Sequence, residues 1–333
     1  MTGNRTPAIR PRNPWLLLVA VALALGAAVY VQSPRRTVSG PPPLILPNAP
    51  GGRLTVSELS EKRLTPMLVS DATQLRWRDI GDAAYAPDFR RQFAYENAGE
   101  HFAEVEYEPS AHTLVGRVSA RGLKPWFVYQ IKLVGPEPIA GLTEADNSAN
   151  TGVWSSYQLG RMGRWWCEDC RWNVADAELA EHLANGHDVR GYVLFDWLLT
   201  DGEGDADHEF EFDRSLHVLW KVGQRDRGEH DSVPRWYVVE RSGDVYDQAD
   251  REVVEEVAVF AEWEPTRPGI GDLVVPPGEY QVRFNLTEES WHANLDEREQ
   301  ELGGLWAWVL DADLLFTVAD QPRELGGLPA RPL

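Results

Sequence analysis

Cysteine is the scarcest of the informative residues: the 333-residue chain has two, Cys167 and Cys170, with two residues between them. A disulfide scaffold uses more cysteines at wider spacing, so bridges do not hold this fold together. Cations are also few. Lys and Arg number 32 against 52 Asp and Glu, for a formal charge of −20. Phosphate binding needs cations to displace counterions, which argues against nucleic acid as a partner. No G-x-S-x-G run is present, so the sequence offers no nucleophile elbow of the hydrolase kind. Internal repeats are missing too. What is present is 43% apolar residues and 14 Trp, enough for a folded core rather than a disordered chain.

One long apolar run exists, from Trp15 to Val31, after Arg5, Arg10 and Arg12. As a helix it would span roughly 25 Å, near the lower limit for a bilayer's hydrocarbon core. An uncleaved signal anchor and a cleaved signal peptide compete. Gly26-Ala27-Ala28 suits a cleavage site, but Val29, Tyr30 and Val31 continue the run past it. Arg35 and Arg36 partly balance the leading arginines, so charge alone does not orient the span. The large acidic C-terminal part favours an outside location, which makes the expected protein membrane-anchored and extracytoplasmic. No cysteine lies near the end of the run, which excludes a lipid-modified N-terminal cysteine. The expected order is a cytoplasmic stub (1–13), a membrane span (14–32), a Pro/Gly-rich linker (33–56), an extension (57–90), a β-sandwich (91–320) and a tail (321–333). A short helix is expected around 66–77.

Beyond residue 90 the hydropathy alternates with a period near two. Strands are expected at 101–108, 113–120, 126–134, 189–200, 208–212, 217–222, 236–240, 257–263, 279–286 and 306–318. Asp201-Gly202, Ser242-Gly243-Asp244 and Pro276-Pro277-Gly278 mark turns between them. Short strands without intervening helices predict an all-β fold, an antiparallel β-sandwich of Ig-like or jelly-roll-like form.

The one local constellation with chemistry in it is an insertion at 165–188. It reads Cys167-x2-Cys170, eleven residues, then His182-x4-His187. Two cysteines on a tight turn and two histidines at the end of a short helix supply four tetrahedral zinc ligands. Asp176 suits a helix cap, 177–184 are good helix formers, and Gly186 suits a helix stop. The pattern resembles a two-Cys, two-His zinc finger, with Val174 where that family has an aromatic and a gap one residue short. Asp176, Glu178 and Glu181 lie on the face that such fingers turn to DNA, and phosphates would repel them. Four protein ligands leave no open position, so the zinc would be structural. Two other readings stand beside it. Trp166-Cys167-Glu168-Asp169-Cys170 is similar to the WCxxC of thioredoxin-like proteins, making a tethered thiol–disulfide enzyme an alternative, although that fold needs βαβ units. The cysteines and histidines could also be unrelated.

Asp201, Glu203, Asp205 and Asp207 alternate along one stretch, a spacing that can collect calcium. Ala206 and Phe212 stand where an EF-hand loop has Gly and Glu, and an acidic hairpin turn accounts for the stretch equally well. Trp197, Trp220 and Trp263 sit in strand patterns and read as core rather than as sugar-stacking rings. Thr287-Glu288-Glu289-Ser290-Trp291-His292 pairs acids near a histidine but reads as solvated loop.

The runs GLKPWFVYQIKLVG (122–135), GYVLFDWLLTD (191–201) and LTEESWH (286–292) resemble an uncharacterised prokaryotic family of exported β-sandwich proteins. The likeness implies the sandwich and no activity. The function expected is a non-enzymatic module that binds a protein or polymer, with a thiol–disulfide enzyme and a hydrolase of glycan or wall substrates as alternatives.

Overall fold

The computed structural model describes residues 59–66, 77–97, 99–138, 149, 151–170, 172–221, 232–264, 273–289 and 306–319. The apolar run Trp15–Val31, the linker, the tail and most of the expected helix around 66–77 lie outside the described residues. Among the described residues, no helix is long and apolar enough to cross a membrane.

The chain is mostly β. It begins with β1 (Ser60–Arg63), β2 (Thr65–Pro66), helix α1 (Pro87–Gln92), β3 (Phe102–Tyr107), β4 (Ser110–Ala111), β5 (Val115–Arg121) and β6 (Val128–Val134). Helix α2 (Thr151–Met162), β7 (Arg164–Cys167), β8 (Trp172–Val174) and helix α3 (Leu179–Ala184) follow. The remainder is β9 (Val189–Leu199), β10 (Ala206–Glu211), β11 (Leu216–Lys221), β12 (Ser232–Glu240), β13 (Val254–Trp263), β14 (Gly278–Glu289) and β15 (Trp306–Val318).

One sheet has the order β1-β3-β5-β10. The larger has the order β12-β13-β11-β9-β6-β14-β15-β2, with β7 on β9, β8 on β7 and β4 on β15. Pairing is antiparallel except for β4 with β15. The two sheets share one core. Ala103, Val105, Tyr107, Val118 and Phe210 from the small sheet join Tyr129, Ile131, Leu133, Phe195, Phe284 and Leu286 from the large one. Period-two side-chain alternation explains this face choice. In β3 the inward set is Ala103, Val105 and Tyr107, while Phe102 points outward beneath the Arg63 guanidinium, 4.2 Å from its ring centre. β6 is buried along its whole length, because the far face of the large sheet carries a second apolar cluster that includes Val128, Leu194, Trp197, Leu219 and Val259.

The residues assigned to an extension contribute strands to both sheets: Ser60–Arg63 pairs with β3 and Thr65–Pro66 with β15. Helix α2 has a poor helix composition, TGVWSSYQLGRM, and tertiary packing accounts for it. Val153 and Tyr157, one turn apart, pack beside Trp165, and Leu159 and Met162 enter the main core. A Cβ on Gly191 would collide with the Ser156 carbonyl, so glycine here lets the helix approach the sheet backbone.

Candidate metal centre

Helix α2, β7, β8 and α3 form the insertion that carries the knuckle. Cys167, Trp165, Val174, Leu183 and Val189 are buried together with Val153 and Tyr157. Cys167 ends β7 and pairs with Trp172 of β8 on one side and Val189 of β9 on the other. The Glu168 N–H donates to the Asp188 carbonyl at 2.8 Å, and the Asp188 N–H donates to Asp169 Oδ2 at 2.9 Å. The turn is thereby clamped to the start of β9. Helix α3 begins at Leu179, and no side chain caps it. Asp176 accepts instead from the Trp165 indole N–H at 2.8 Å. That corrects the capping expectation: the carboxylate is used to fix a buried ring. Gly186 does end the helix, with φ of +77°, a left-handed conformation that glycine adopts without a Cβ penalty.

The sulfurs of Cys167 and Cys170 and the His182 imidazole present donor atoms within 4.8 Å of one another. Among the described residues this is the only such group of Cys, His, Asp or Glu. His182 Nδ1 is 3.7 Å from Cys170 Sγ. The Cys170 backbone N–H donates to Cys167 Sγ at 3.1 Å. Two features depart from the four-ligand expectation. First, Cys167 and Cys170 are joined as a disulfide. A metal binds thiolate, so sulfurs bonded to each other carry no charge to offer, and this state does not hold zinc. Second, His187 stands outside the group. Its ring centre lies 5.2 Å from that of His182, and its Nδ1 faces Asp169 Oδ2 at 3.9 Å. The His187 side chain is 38% exposed.

Among the described residues, the four calcium candidates do not come together as a metal-holding group of donors. Asp201 Oδ1 accepts the N–H groups of Glu203 and Asp205 at 3.0 and 2.9 Å, closing its own turn. Asp205 accepts the Gly122 N–H at 2.8 Å. Asp207 accepts the Ser119 hydroxyl at 2.6 Å and pairs with Arg121, and Ser119 first, then Arg121, hold its carboxyl below the usual range. Glu203 is exposed. The stretch is not the expected hairpin: it carries the chain from β9 in the large sheet to β10 in the small one, and its acids secure that turn and a neighbouring strand.

Glu288, expected in solvated loop, lies inside β14 and is fully buried. Lys124 Nζ donates to it at 2.8 Å and stands 3.9 Å from the Trp77 ring centre and 5.1 Å from that of Phe127. The Tyr95 hydroxyl donates to the same carboxylate and meets Tyr129 Oη at 2.9 Å. Burial, then the Glu288 charge, pushes both phenols well above their usual range, so both stay protonated. Trp197 and Trp220 are buried as expected. Asp196 is also buried and accepts His208 Nε2 at 2.9 Å, with Arg235 at 3.5 Å. Burial pushes its carboxyl up, but the bond and charge of His208, then Arg235 and Arg214, outweigh that and hold it below the usual range. Arg164 likewise binds Glu264, and Arg241 binds Asp79. Each of these buried acids sits on a cation, which describes structural pairs rather than a free acid–base couple. The one sequence signal for them was a lone charged residue inside an otherwise apolar run, as with Lys124 in GLKPWFVYQ and Asp196 in GYVLFDWLL.

No family model, no curated protein and no solved structure matches this chain.

Proposed function

We propose that the chain is a membrane-anchored, extracytoplasmic β-sandwich module that binds a protein or polymer, and that its knuckle holds a structural zinc ion when the cysteines are reduced. The observation that carries the metal reading is the convergence of Cys167, Cys170 and His182 within 4.8 Å. His187, beside His182 and half exposed, completes the ligand set by turning its ring. The Cys170 N–H aimed at Cys167 Sγ supports it further, because such a donor stabilises a thiolate. Zinc suits this donor set, and hard cations do not. The N-terminal apolar run and its leading arginines support the anchor, and the resemblance to exported sandwich proteins supports the location. The test is direct. The full chain is purified in detergent under reductant, and its zinc is measured by elemental analysis. About one ion per chain, lost to a chelator, is expected. A chain with two free thiols and no bound metal refutes the reading.

A second reading is favoured by the disulfide itself: a tethered thiol–disulfide carrier working through the WCxxC run. It expects metal-free protein that reduces insulin. Its difficulty is exposure, since the first cysteine, Cys167, is fully buried, whereas a reactive thiol must be reached.

A further inference from the structure

We infer that the disulfide and the metal are alternative closures of one knuckle, so that an external thiol switches the insertion from a cross-linked state to a metal-binding one. This rests on the metal reading above and adds its regulation. The two cysteines stand with Cα atoms 5.2 Å apart, a separation compatible with a disulfide and with two neighbouring positions of a metal tetrahedron. One pair of sulfurs therefore serves both states with little movement of the turn, which remains clamped by Glu168–Asp188 and Asp188–Asp169 hydrogen bonds.

The two sulfurs are not equivalent. Cys167 is fully buried and Cys170 is not. A dithiol reductant reaches Cys170 Sγ first. Its thiolate forms a mixed disulfide there, and the S–S electron pair leaves on Cys167 Sγ, which already accepts the Cys170 N–H at 3.1 Å. The second thiol of the reductant then displaces Cys170, so the protein disulfide becomes two thiols and the dithiol becomes a cyclic disulfide. Zinc binding by both sulfurs releases two protons, and His182, 3.7 Å from Cys170 Sγ, is the next ligand. Oxidation of the dithiol state by a disulfide reverses the sequence and expels the ion.

The full chain in detergent tests this in two redox states: oxidised as isolated in air, and kept anaerobic with dithiothreitol throughout purification. Both are incubated with zinc, desalted, and assayed for zinc by elemental analysis and for thiols with and without chelator. The oxidised chain is expected to show no thiols and no zinc. The reduced chain is expected to hold about one zinc, with its thiols masked until chelation, and a disulfide oxidant added after chelation should abolish rebinding. His182→Ala should form the disulfide normally yet weaken zinc binding by at least about tenfold, since loss of even an outer partner costs that much. Equal zinc in the oxidised and reduced chains overturns the exclusivity and leaves the metal reading standing. Free thiols without zinc in the reduced chain overturn both. Unchanged zinc affinity in His182→Ala removes His182 from the site and overturns the switch as drawn.

Discussion

The Lys124–Glu288 cluster and the knuckle are both polar groupings set among aromatic side chains, and they are built in opposite ways. Lys124 and Glu288 are 164 positions apart and both are fully enclosed. They are joined because Lys124 lies in the turn that leads into β6, which neighbours β14 in the large sheet. The knuckle's donors lie within about 20 positions of one another, on a small insertion, and two of the three are partly open to solvent. The first is locked: leaving either charge alone in that enclosure is costly. The second is exchangeable in the reading proposed above, in which the sulfurs are bonded to each other or to a metal. A buried ion pair between distant parts of the chain therefore acts as a clamp, whereas the local cluster leaves part of its donors open to solvent.

The largest expected effect lies at the clamp. Lys124→Met leaves Glu288 buried without its cation and should cost about 3–5 kcal/mol, read as a lower urea midpoint. Pairing it with Glu288→Leu should recover most of that loss. A double variant as unstable as the single one would mean that the charges are not what the clamp is made of.

Asp196 comes next, a buried carboxylate whose partners His208 and Arg235 lie 12 and 39 positions along the chain. Asp196→Asn should cost about 1.5–3 kcal/mol at neutral pH. Its folded carboxyl titrates below the ordinary value, so the unfolded chain takes up the proton first as pH falls. The stabilisation is complete above about pH 4 and fades as pH drops through the folded value. Acid unfolding of the Asn variant should be flatter over that window. Parallel curves would remove Asp196 from the acid response.

Effects at the knuckle are smaller in stability and larger in function. The disulfide spans a sequence separation of 3, and closing so short a loop contributes no more than about 2 kcal/mol. Cys170→Ser should therefore leave a folded sandwich with a modestly lower midpoint and no metal binding. His182→Ala should change stability by less than about 0.5 kcal/mol while weakening zinc binding. A global unfolding of either variant would show that the insertion is part of the clamp rather than a separate device.

Strands were legible where hydropathy alternated. The expected 306–318 coincides with β15, and 189–200, 126–134 and 113–120 differ from β9, β6 and β5 by one or two residues at an end. β7 and β8 escaped notice because they are short and lie in the run that carried the cysteine motif. Helix α2 escaped because Gly, Ser and β-branched residues weaken its local preference, and the neighbouring sheet supplies what propensity lacks. Phe102 stands one residue out of step with Val105 and Tyr107 and faces outward, covered by Arg63 from a strand that alternation does not reveal. The proximity of Cys167, Cys170 and His182 was legible because their spacing is local, while His187, expected with them, stands outside the group. The bond between the sulfurs was not legible, since CxxC spacing suits a disulfide and a metal equally well.

The amino-acid order alone was sufficient for the β class, most strand positions and the gathering of Cys167, Cys170 and His182. These follow from side-chain alternation and from contacts within a few turns of chain, where geometry is set by backbone periodicity. Partner choice for Lys124 and Glu264 followed only from the tertiary arrangement, which brings together residues 164 and 100 positions apart, and that for Asp196 from the packing of β9 against a strand of the other sheet. A charge inside an apolar strand announces that it needs a partner, because burying it alone is prohibitive. Which residue answers that need depends on strands meeting across the core, and no local pattern encodes that meeting.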